Sequence, residues 1–335
     1  MKPPANHPVI PAPKVGVVLT NLGTPDAPDA SAVRRYLAQF LSDPRVIEIP
    51  KLVWKPLLHG IILRTRPKKS AHAYAQVWTE EGSPLAAITA RQAKALATRL
   101  GDGVIVEWAM RYGNPDIKGA IDRLAAAGAT RILVAPLYPQ YCAATTASAN
   151  DATFAAIAAR RWQPALRTLP PYYDEPQHIA ALKADLERQL AALDFTPDRV
   201  MLSFHGMPQR TLELGDPYHC HCRKTARLLG EAMAIPVDVA FQSRFGRAKW
   251  LEPATDVTLE AYPAQGVTKI AIAAPGFSAD CLETIEELGI RGREQFMAAG
   301  GTHFARMDCL NDSKAGMEML EALIRRELAG WWSQA

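Results

Sequence analysis

Eight short apolar segments, each followed by enough chain to form a helix, constrain the fold of this sequence more than any other feature. Short apolar runs bounded by turn residues are typical of strands buried on both faces of a parallel sheet. Parallel neighbours need a crossover connection, which is usually a helix. We therefore predict strands at residues 15–20, 104–108, 132–135, 166–169, 200–204, 237–241, 270–274 and 303–307.

Amphipathic stretches lie between these segments and predict the crossover helices. The chain has 335 residues, which is long for one hydrophobic core, so we expect two domains or two halves that share an interface. Four of the predicted strands fall in each half, and the predicted fold class is α/β throughout. The predicted helices include residues 30–41, 92–100, 117–126, 179–193, 224–234 and 317–328.

Two pairs of matching segments indicate that the halves are copies of one design. LTNLGTP at residues 19–25 and LSFHGMP at 202–208 share leucine, a hydroxyl residue, glycine and proline in the same order. RILVAP at 131–136 likewise resembles KIAIAAP at 269–275. Such turn residues also end unrelated strands, which is the alternative interpretation. Ligands of parallel sheets bind beyond the carboxyl ends of the strands, so the four matched ends predict a shared cleft.

Composition and sequence pattern exclude several classes of protein. Hydrophobic residues make up 48% of the chain, and a net charge of +4 gives no argument for nucleic-acid binding. Residues 1–14 are proline-rich without an apolar run, which predicts a flexible leader and not a secretory signal. No stretch reaches the roughly 20 apolar residues of a membrane span, so we expect a cytoplasmic protein. The five cysteines are expected to be thiols.

His205 directly follows the predicted strand at 200–204, and Gly206 lets the chain turn without covering the imidazole. An imidazole at this edge could bind a divalent metal or accept a proton near neutral pH. The alternative is a histidine that only forms hydrogen bonds within a turn.

The segment PGFSADCLETIEEL at residues 275–288 predicts a helix that Ser278 or Asp280 caps. Glu283 and Glu287 are four residues apart and therefore lie on one face of that helix. Carboxylates near a helix start often only stabilise the helix dipole. The functional interpretation is an oxygen ligand for iron beside a second carboxylate that relays protons.

Several long motifs occur together in one order and spacing. They are VVLTNLGTPDAP, AMRYGNP, LYPQYCAATTA, LSFHGMPQR, FQSRFGRAKWLEP and PGFSADCLETIEEL. From about residue 15 to about residue 328, the chain resembles the ferrochelatases. The resemblance implies two similar Rossmann-like halves, residues 15–170 and 171–330, each with a four-stranded parallel sheet flanked by helices. The final helix could pack against either half, including the first. The implied function is insertion of Fe²⁺ into a porphyrin with release of two protons, the terminal step of haem biosynthesis.

Residue by residue, the resemblance implies that His205 and Glu283 form the iron site, with Glu287 and Asp280 on an acidic line leading away from it. These four are the predicted catalytic residues. The sequence leaves open whether His205 accepts pyrrole protons or first receives the metal, and both roles need an unprotonated imidazole. The residues implied to surround the porphyrin, with Ser83 near a propionate, are Leu22, Ser83, Arg111, Tyr112, Tyr138, Trp250 and Phe277.

The cysteine and histidine tract YHCHCR at residues 218–223 suggests metal binding by its residue types. Some ferrochelatases carry a [2Fe–2S] cluster, often with cysteines from a C-terminal extension, whereas only Cys309 lies late in this sequence. We therefore expect no cluster and no required cofactor, with Fe²⁺ as a substrate. A cluster that uses Cys220, Cys222 and two distant cysteines is the alternative. Cys281 stands where some members of the family have a histidine.

Residues 57–69 combine apolar side chains with a cationic end. Leu57 and Ile61 belong to the apolar part, and Arg64, Arg66 and Lys68 follow. Such a segment is suited to peripheral contact with an anionic membrane on the inner face of the cell. The alternative is a helix packed on the core with a solvated basic end.

The expected substrate is protoporphyrin IX, with coproporphyrin III as the alternative within the family. A chelatase that inserts cobalt or nickel into another tetrapyrrole is a second enzyme hypothesis, which the QSRFGRAKWLEP segment disfavours. A two-lobed protein that carries a tetrapyrrole or a metal without chemistry is the non-enzymatic hypothesis. Such a carrier does not need His205 and Glu283 together.

Overall fold

The computed structural model describes residues 14–246 and 248–332. All but one of the residues in the predicted leader, 1–14, lie outside the described residues, and Lys14 already begins the first strand. The eight predicted strands are confirmed, most with extra residues at one or both ends. They are β1 (Lys14–Gly23), β2 (Val104–Tyr112), β3 (Ala129–Pro136), β4 (Ala165–Thr168), β5 (Arg199–His205), β6 (Val237–Gln242), β7 (Lys269–Ala273) and β8 (His303–Arg306).

The strands form two four-stranded sheets with the same internal order. The first sheet has the order β2-β1-β3-β4 and the second β6-β5-β7-β8, and every neighbouring pair is parallel. Adding four to each strand number of the first sheet gives the strand order of the second sheet. The structure therefore confirms that two halves repeat one design, as the matching segments predicted.

Helices connect the strands and cover the sheets. All six of the helices that the sequence analysis named are present. The helix that starts at Lys51 has exposed apolar residues in its first turn and no buried residue. The helices are α1 (Ala30–Phe40), α2 (Lys51–Leu57), α3 (Leu63–Val77), α4 (Pro84–Leu100), α5 (Ile117–Ala126), α6 (Ser148–Ala158), α7 (Pro176–Ala191), α8 (Gln209–Glu213), α9 (Tyr218–Met233), α10 (Thr255–Ala261), α11 (Arg293–Ala298) and α12 (Lys314–Glu327).

Three helical segments have π geometry and one is a short 3₁₀ turn. The π segment Leu58–Ile62 joins α2 to α3, Ala143–Ala147 leads into α6, and Glu283–Gly292 leads into α11. The 3₁₀ turn is Pro263–Gln265. Across residues 14–246 and 248–332, none of the helices has the length and apolar content that a membrane crossing requires.

One hydrophobic cluster extends through both halves. It contains Val17 and Leu133 from the first sheet, Leu202 and Ala271 from the second, and Leu320 from α12. The last helix also lies against α4, where Arg99 donates to Glu321 at 2.9 Å. Because this core is shared, the two sheets hold each other in a defined arrangement.

Gly23 allows β1 and β2 to stay paired up to their carboxyl ends. Its φ of +123° favours glycine, and a Cβ there would lie 1.8 Å from the carbonyl oxygen of Tyr112, its partner at the end of β2. Any side chain at this position would push the two strand ends apart.

We predict that Gly23→Ala lowers the free energy of unfolding by about 3 kcal/mol or more, because an unfavourable φ and a backbone collision act together. Gly215→Ala is the matched control, since Gly215 has φ +92° but open space around its Cβ position. This control should lose about 1 kcal/mol from the φ alone. Urea unfolding measures both losses, and equal losses would contradict the collision.

Candidate active site

A cavity of about 640 Å³, including its open mouth, lies beyond the carboxyl ends of four strands. The carboxyl ends of β1 and β5 and the segments that follow β3 and β7 all contribute to its wall, so the structure brings together the four strand ends that the sequence repeat singled out. Its strand-end residues are Asn21, Leu22 and Gly23; Leu137, Tyr138 and Gln140; His205; and Gly276, Phe277 and Ser278.

Apolar and aromatic side chains dominate the wall of this cavity. Leu22, Leu85, Tyr138 and Phe277 form much of it, and the described residues that line it include no lysine or arginine. An imidazole and a carboxylate, those of His205 and Glu283, line the same space. This arrangement is typical of a site for a largely apolar ligand, in which a few polar groups fix its orientation.

His205 is the last residue of β5, and its imidazole is half-buried. The Nδ1 atom lies 2.8 Å from the carbonyl oxygen of Gly206. Because a carbonyl oxygen can only accept, Nδ1 carries the proton in the neutral ring. The Nε2 atom of His205 therefore keeps a free lone pair, which can bind a metal ion or accept a proton.

The backbone beyond His205 turns tightly against β6. The Gly206 N–H donates to the carbonyl oxygen of Gln242 at 2.7 Å, and a Cβ at position 206 would lie 2.4 Å from that oxygen. The Gln242 side chain donates to the carbonyl oxygen of Glu283 at 3.2 Å. These contacts connect the histidine, the end of β6 and the start of the glutamate-bearing helix.

The helix that carries Glu283 and Glu287 is a π-helix, Glu283–Gly292, where the sequence predicted ordinary helical spacing. The predicted cap was also wrong, because neither Ser278 nor Asp280 binds the backbone N–H groups of the first turn. Ser278 donates its hydroxyl to the carbonyl oxygen of Leu137, and other donors occupy the Asp280 carboxylate. Widened π turns of this kind frequently occur at functional sites.

Glu287 lies one turn beyond Glu283 and is held by Ser243. The Ser243 backbone N–H donates to Oε1 at 2.8 Å and its hydroxyl donates to Oε2 at 2.5 Å. Burial raises the pKa of Glu287 above its ordinary value, and the charge of Glu283 adds to that shift. The Ser243 hydrogen bond and the nearby His205 and Arg291 oppose the increase. A carboxyl with a raised pKa accepts a proton more readily near neutral pH.

Cys281 also lines the cavity, beside Glu283. Burial raises the pKa of the Cys281 thiol well above its ordinary value, and the negative charge of Glu283 raises it further. The side chain is therefore a neutral thiol at neutral pH and not a thiolate ligand.

Asp280 lies apart from the pair of His205 and Glu283. Its carboxylate accepts from Arg306 at 2.8 Å, from Asn311 at 2.7 Å and from Thr284 at 2.8 Å. Only 4% of Asp280 is exposed, and the space it borders is a different cavity, beside Arg91. The structure therefore places Asp280 where it anchors the start of the π-helix to the segment after β8.

The predicted porphyrin contacts divide into two groups. Leu22, Tyr138 and Phe277 line the cavity. The other four lie outside its lining: the Ser83 hydroxyl accepts from Thr24, the Trp250 indole donates to the carbonyl oxygen of Phe245, and Arg111 and Tyr112 bind Asp43.

Asp43 is the centre of a network that the sequence did not reveal. Its Oδ2 atom accepts from Arg111 at 2.5 Å, from Ser148 at 2.6 Å and from Tyr112 at 2.8 Å. Burial alone would raise the pKa of Asp43, but the Ser148 and Tyr112 hydrogen bonds and the Arg111 charge lower it below its ordinary value. Asp43 follows α1 in an irregular loop, where no periodic pattern marks a buried residue.

Ser243 and Gln242 could have been found from the sequence. They stand at the carboxyl end of β6, as His205 stands at the end of β5. Ligands bind beyond the carboxyl ends of parallel strands, and this rule applies to β6 as well. The matching segments of the two halves covered only four of the eight strand ends.

The cysteine tract lies on α9 and its side chains point to different surroundings. Cys220 is exposed and Cys222 is buried. The His221 ring stacks on Tyr173 with 3.6 Å between centroids, and His219 stacks on Phe241 at 5.6 Å. In the part of the chain that the structure describes, no group of three or more histidine, cysteine and acidic residues is arranged to hold a metal ion.

Comparison with known proteins agrees with the motifs. A family model described as Ferrochelatase matches residues 14–328. A ferrochelatase of Rhizobium meliloti is 51% identical over 332 residues, which cover 97% of this chain and 98% of that protein. A ferrochelatase of Methylibium petroleiphilum is 52% identical over 329 residues, which cover 96% and 90% of the two chains.

Solved structures share the fold at low sequence identity. A structure of SirB from Bacillus subtilis with Fe³⁺ matches with a TM-score of 0.56 at 12% identity, covering 95% of this chain and 97% of that one. DR2241 from Deinococcus radiodurans, a multi-domain protein with structural similarity to chelatases, matches with a TM-score of 0.53 at 14% identity. It covers 92% of this chain and 54% of that chain. These similarities support an architecture of two Rossmann-like halves.

We predict that Asp280→Asn lowers the free energy of unfolding by about 3 kcal/mol, because Arg306 loses the charge of its buried partner. Asp308→Asn is the matched control, since Asp308 pairs with the same arginine but its side chain is 57% exposed. The control should change stability by less than about 0.5 kcal/mol. Urea unfolding measures both. A stable Asp280→Asn protein without catalytic activity would instead show that this carboxylate serves the chemistry of the site.

Proposed function

The chain belongs to the ferrochelatase family, and on that premise we propose that His205 and Glu283 receive ferrous iron and the pyrrole protons of a bound porphyrin. The protein is an enzyme that inserts Fe²⁺ into a porphyrin in haem biosynthesis. Iron is thus a substrate, and the site must bind the ion and then release it to the macrocycle.

The observation that carries the proposal is the meeting of His205 and Glu283 in one largely apolar cavity. An imidazole nitrogen and a carboxylate oxygen are both ligands that Fe²⁺ accepts. Within the described residues, no third histidine, cysteine or carboxylate completes a metal-binding group there. A site with few protein ligands suits a substrate ion, because the four porphyrin nitrogens must replace those ligands.

Two pyrrole protons leave as the iron–nitrogen bonds form. His205 Nε2 has the free lone pair that can accept a proton, since Nδ1 donates to Gly206. Glu283 lines the same cavity, and Glu287 follows it along the π-helix. Because burial raises the pKa of Glu287, this carboxyl is suited to accept a proton from the inner groups and pass it outward.

We propose protoporphyrin IX as the porphyrin. Protoporphyrin IX has two propionates and two vinyl groups, whereas coproporphyrin III has four propionates. The cavity wall is formed by apolar residues such as Leu22, Leu85 and Phe277, without lysine or arginine among the described lining residues. Two additional carboxylates would lose hydration there without cationic partners, which disfavours coproporphyrin III.

We also propose that the enzyme works without a resident iron–sulfur cluster. A [2Fe–2S] cluster needs four ligands, usually cysteine thiolates, within one site. Cys222 and Cys142 belong to the hydrophobic cluster between the sheets, whereas Cys281 and Cys309 belong to two other clusters, and Cys220 is exposed. Burial raises the pKa of Cys222 well above its ordinary value. The arrangement therefore does not fit the cluster.

Peripheral membrane contact through residues 57–69, extended to the preceding turn of α2, is a further part of the proposal. Exposed apolar side chains support it: 91% of Leu52, 65% of Val53 and 57% of Ile61 are exposed. The cationic residues Lys51 and Lys55 lie on the same helix and are also exposed. An apolar surface with cations around it binds anionic lipid headgroups and acyl chains together.

We predict that His205→Ala and Glu283→Gln each lower kcat for iron insertion by about a hundredfold or more, because each removes a proton acceptor and metal ligand. Porphyrin binding should persist, since most of the apolar wall remains. The matched control is His303→Ala, at the start of β8 and exposed to solvent, which should retain wild-type turnover. The measurement is anaerobic absorbance of metalloporphyrin formation.

The same assay tests the choice of porphyrin. A higher kcat/KM for protoporphyrin IX than for coproporphyrin III supports the proposed substrate, and the reverse order overturns it. Tight porphyrin binding with no metal insertion by the wild-type protein would indicate a carrier and contradict the proposed chemistry.

We predict that Val53→Glu weakens binding to vesicles of anionic lipid by about tenfold or more, because it places a negative charge in the apolar surface. Val257→Glu is the control, since 50% of Val257 is exposed but it lies on α10 of the other half. Co-sedimentation with vesicles measures binding. Equal vesicle binding by both variants would contradict the proposed membrane contact through this surface.

A further inference from the structure

Two segments form much of the wall of the porphyrin cavity, and they come from different halves of the chain. The first wall segment, residues 137–143, follows β3 and places Tyr138 in the lining. The second wall segment, residues 276–281, follows β7 and places Phe277 there. Neither segment belongs to a strand or a helix, so other hydrogen bonds must hold its backbone in place.

Gln92 of α4 fastens the second wall segment to the first half. Its side-chain amide donates to the carbonyl oxygen of Ser278 at 3.1 Å and to that of Asn311 at 2.9 Å. Only 3% of Gln92 is exposed. A glutamine amide has two N–H donors, and both are used here. Gln92 therefore connects the helix before β2 to the segment after β7.

The first wall segment is fastened in turn by α9 of the second half. The Gln140 side chain donates to the Thr225 hydroxyl at 3.1 Å, and that hydroxyl donates to the carbonyl oxygen of Tyr173 at 2.7 Å. Gln140 and Thr225 are both buried. One turn earlier on α9, Nδ1 of His221 accepts the backbone N–H of Tyr141 at 3.2 Å. The cysteine and histidine tract thus supports the cavity wall through His221.

The repeat of the two halves relates these connections to each other. In chain order, α4 precedes the second strand of the first half, and α9 precedes the second strand of the second half. Each wall segment follows the third strand of its own half. Each half therefore supplies a buried side chain that holds the wall segment of the other half.

The two wall segments also meet directly. The Ser278 hydroxyl donates to the carbonyl oxygen of Leu137 at 2.8 Å. A Cβ at Gly276 would lie 3.3 Å from Oε1 of Gln140, so the segments approach closely. A movement of one segment is therefore transmitted to the other.

Gln92 and Thr225 act from behind the wall, since neither is among the described residues that line the cavity. Loss of either side chain would leave a buried polar partner without its hydrogen bond, and the wall segment would move to satisfy that partner. A displacement of about 1 Å is enough to spoil the contacts of a bound ligand.

We propose that Gln92 and Thr225 are positioning residues for the porphyrin, each of which holds the wall segment of the opposite half where a flat ring can bind. This inference rests on the proposed porphyrin site. It adds that the shape of this site depends on hydrogen bonds that cross between the halves.

The test is steady-state iron insertion at varied protoporphyrin IX concentration. Gln92→Met and Thr225→Val remove the hydrogen bonds at nearly constant side-chain volume. We expect each variant to raise the KM for porphyrin by about tenfold, because the wall loses its position. The kcat should fall by less than about threefold, since the wall contacts the ring similarly before and during metal insertion.

Two further variants separate position from stability. Thr225→Ser keeps the hydroxyl but removes a buried methyl group, so it should lose stability and retain the wild-type KM. Thr153→Val is the matched control, because Thr153 is fully buried on α6, where its hydroxyl donates to the carbonyl oxygen of Ala149 at 2.9 Å. This control should also retain the wild-type KM. Urea unfolding gives the stability of each variant.

A wild-type KM in both Gln92→Met and Thr225→Val would overturn the proposal. So would an equal increase of KM in Thr225→Ser or Thr153→Val, because KM would then follow stability and not the hydrogen bonds between the halves. If Gln92→Met does not fold, the comparison of Thr225→Val with Thr225→Ser decides alone. Failure of the proposed catalytic site would appear separately, as wild-type turnover in His205→Ala and Glu283→Gln.

Discussion

The parallel arrangement of all eight strands is the constraint on which the rest of this structure depends. Because parallel strands all end at the same edge of a sheet, the carboxyl ends of β1 and β3 meet those of β5 and β7 across one cavity. The shared hydrophobic cluster holds the two sheets in a fixed position relative to each other. Hence His205, from the end of β5, and Glu283, from the helix after β7, line the same cavity. The two residues are 78 positions apart in the sequence.

The π-helix carries Glu283 and Glu287, two carboxylates that lie in different surroundings. Its start is held by the buried ion pair of Asp280 and Arg306, and Gly289 allows close approach, since a Cβ there would lie 2.8 Å from the Cδ atom of Arg306. Along the helix, Glu283 faces an apolar cavity and Glu287 faces a polar one. The protein thus changes the surroundings of successive carboxylates along one helix, and burial raises the pKa of the second of them, Glu287.

The site residues also show how burial and hydrogen bonding set protonation. The carbonyl oxygen of Gly206 selects the tautomer of His205, so the lone pair of Nε2 stays free. Burial raises the pKa of Glu287 and of Cys281. At Asp43, hydrogen bonds from Ser148, the Arg45 backbone N–H and Tyr112, together with the Arg111 charge, lower the pKa in spite of burial. Burial therefore outweighs the hydrogen bonds at Glu287 and Cys281, whereas the hydrogen bonds and the Arg111 charge outweigh burial at Asp43.

The sequence by itself determined the eight strands, the α/β class and the repeat of the two halves, because apolar periodicity and the residues after strand ends are local properties of the chain. The pair of His205 and Glu283 was implied by the resemblance of its motifs to those of the ferrochelatases. It did not determine that the helix after β7 has π geometry, that Asp280 is committed to Arg306, or that Arg111 and Tyr112 bind Asp43. Those outcomes depend on partners distant in sequence, such as Arg306 for Asp280. Only the packed tertiary structure decided them, because a buried charge takes whichever partner the fold brings within hydrogen-bond distance.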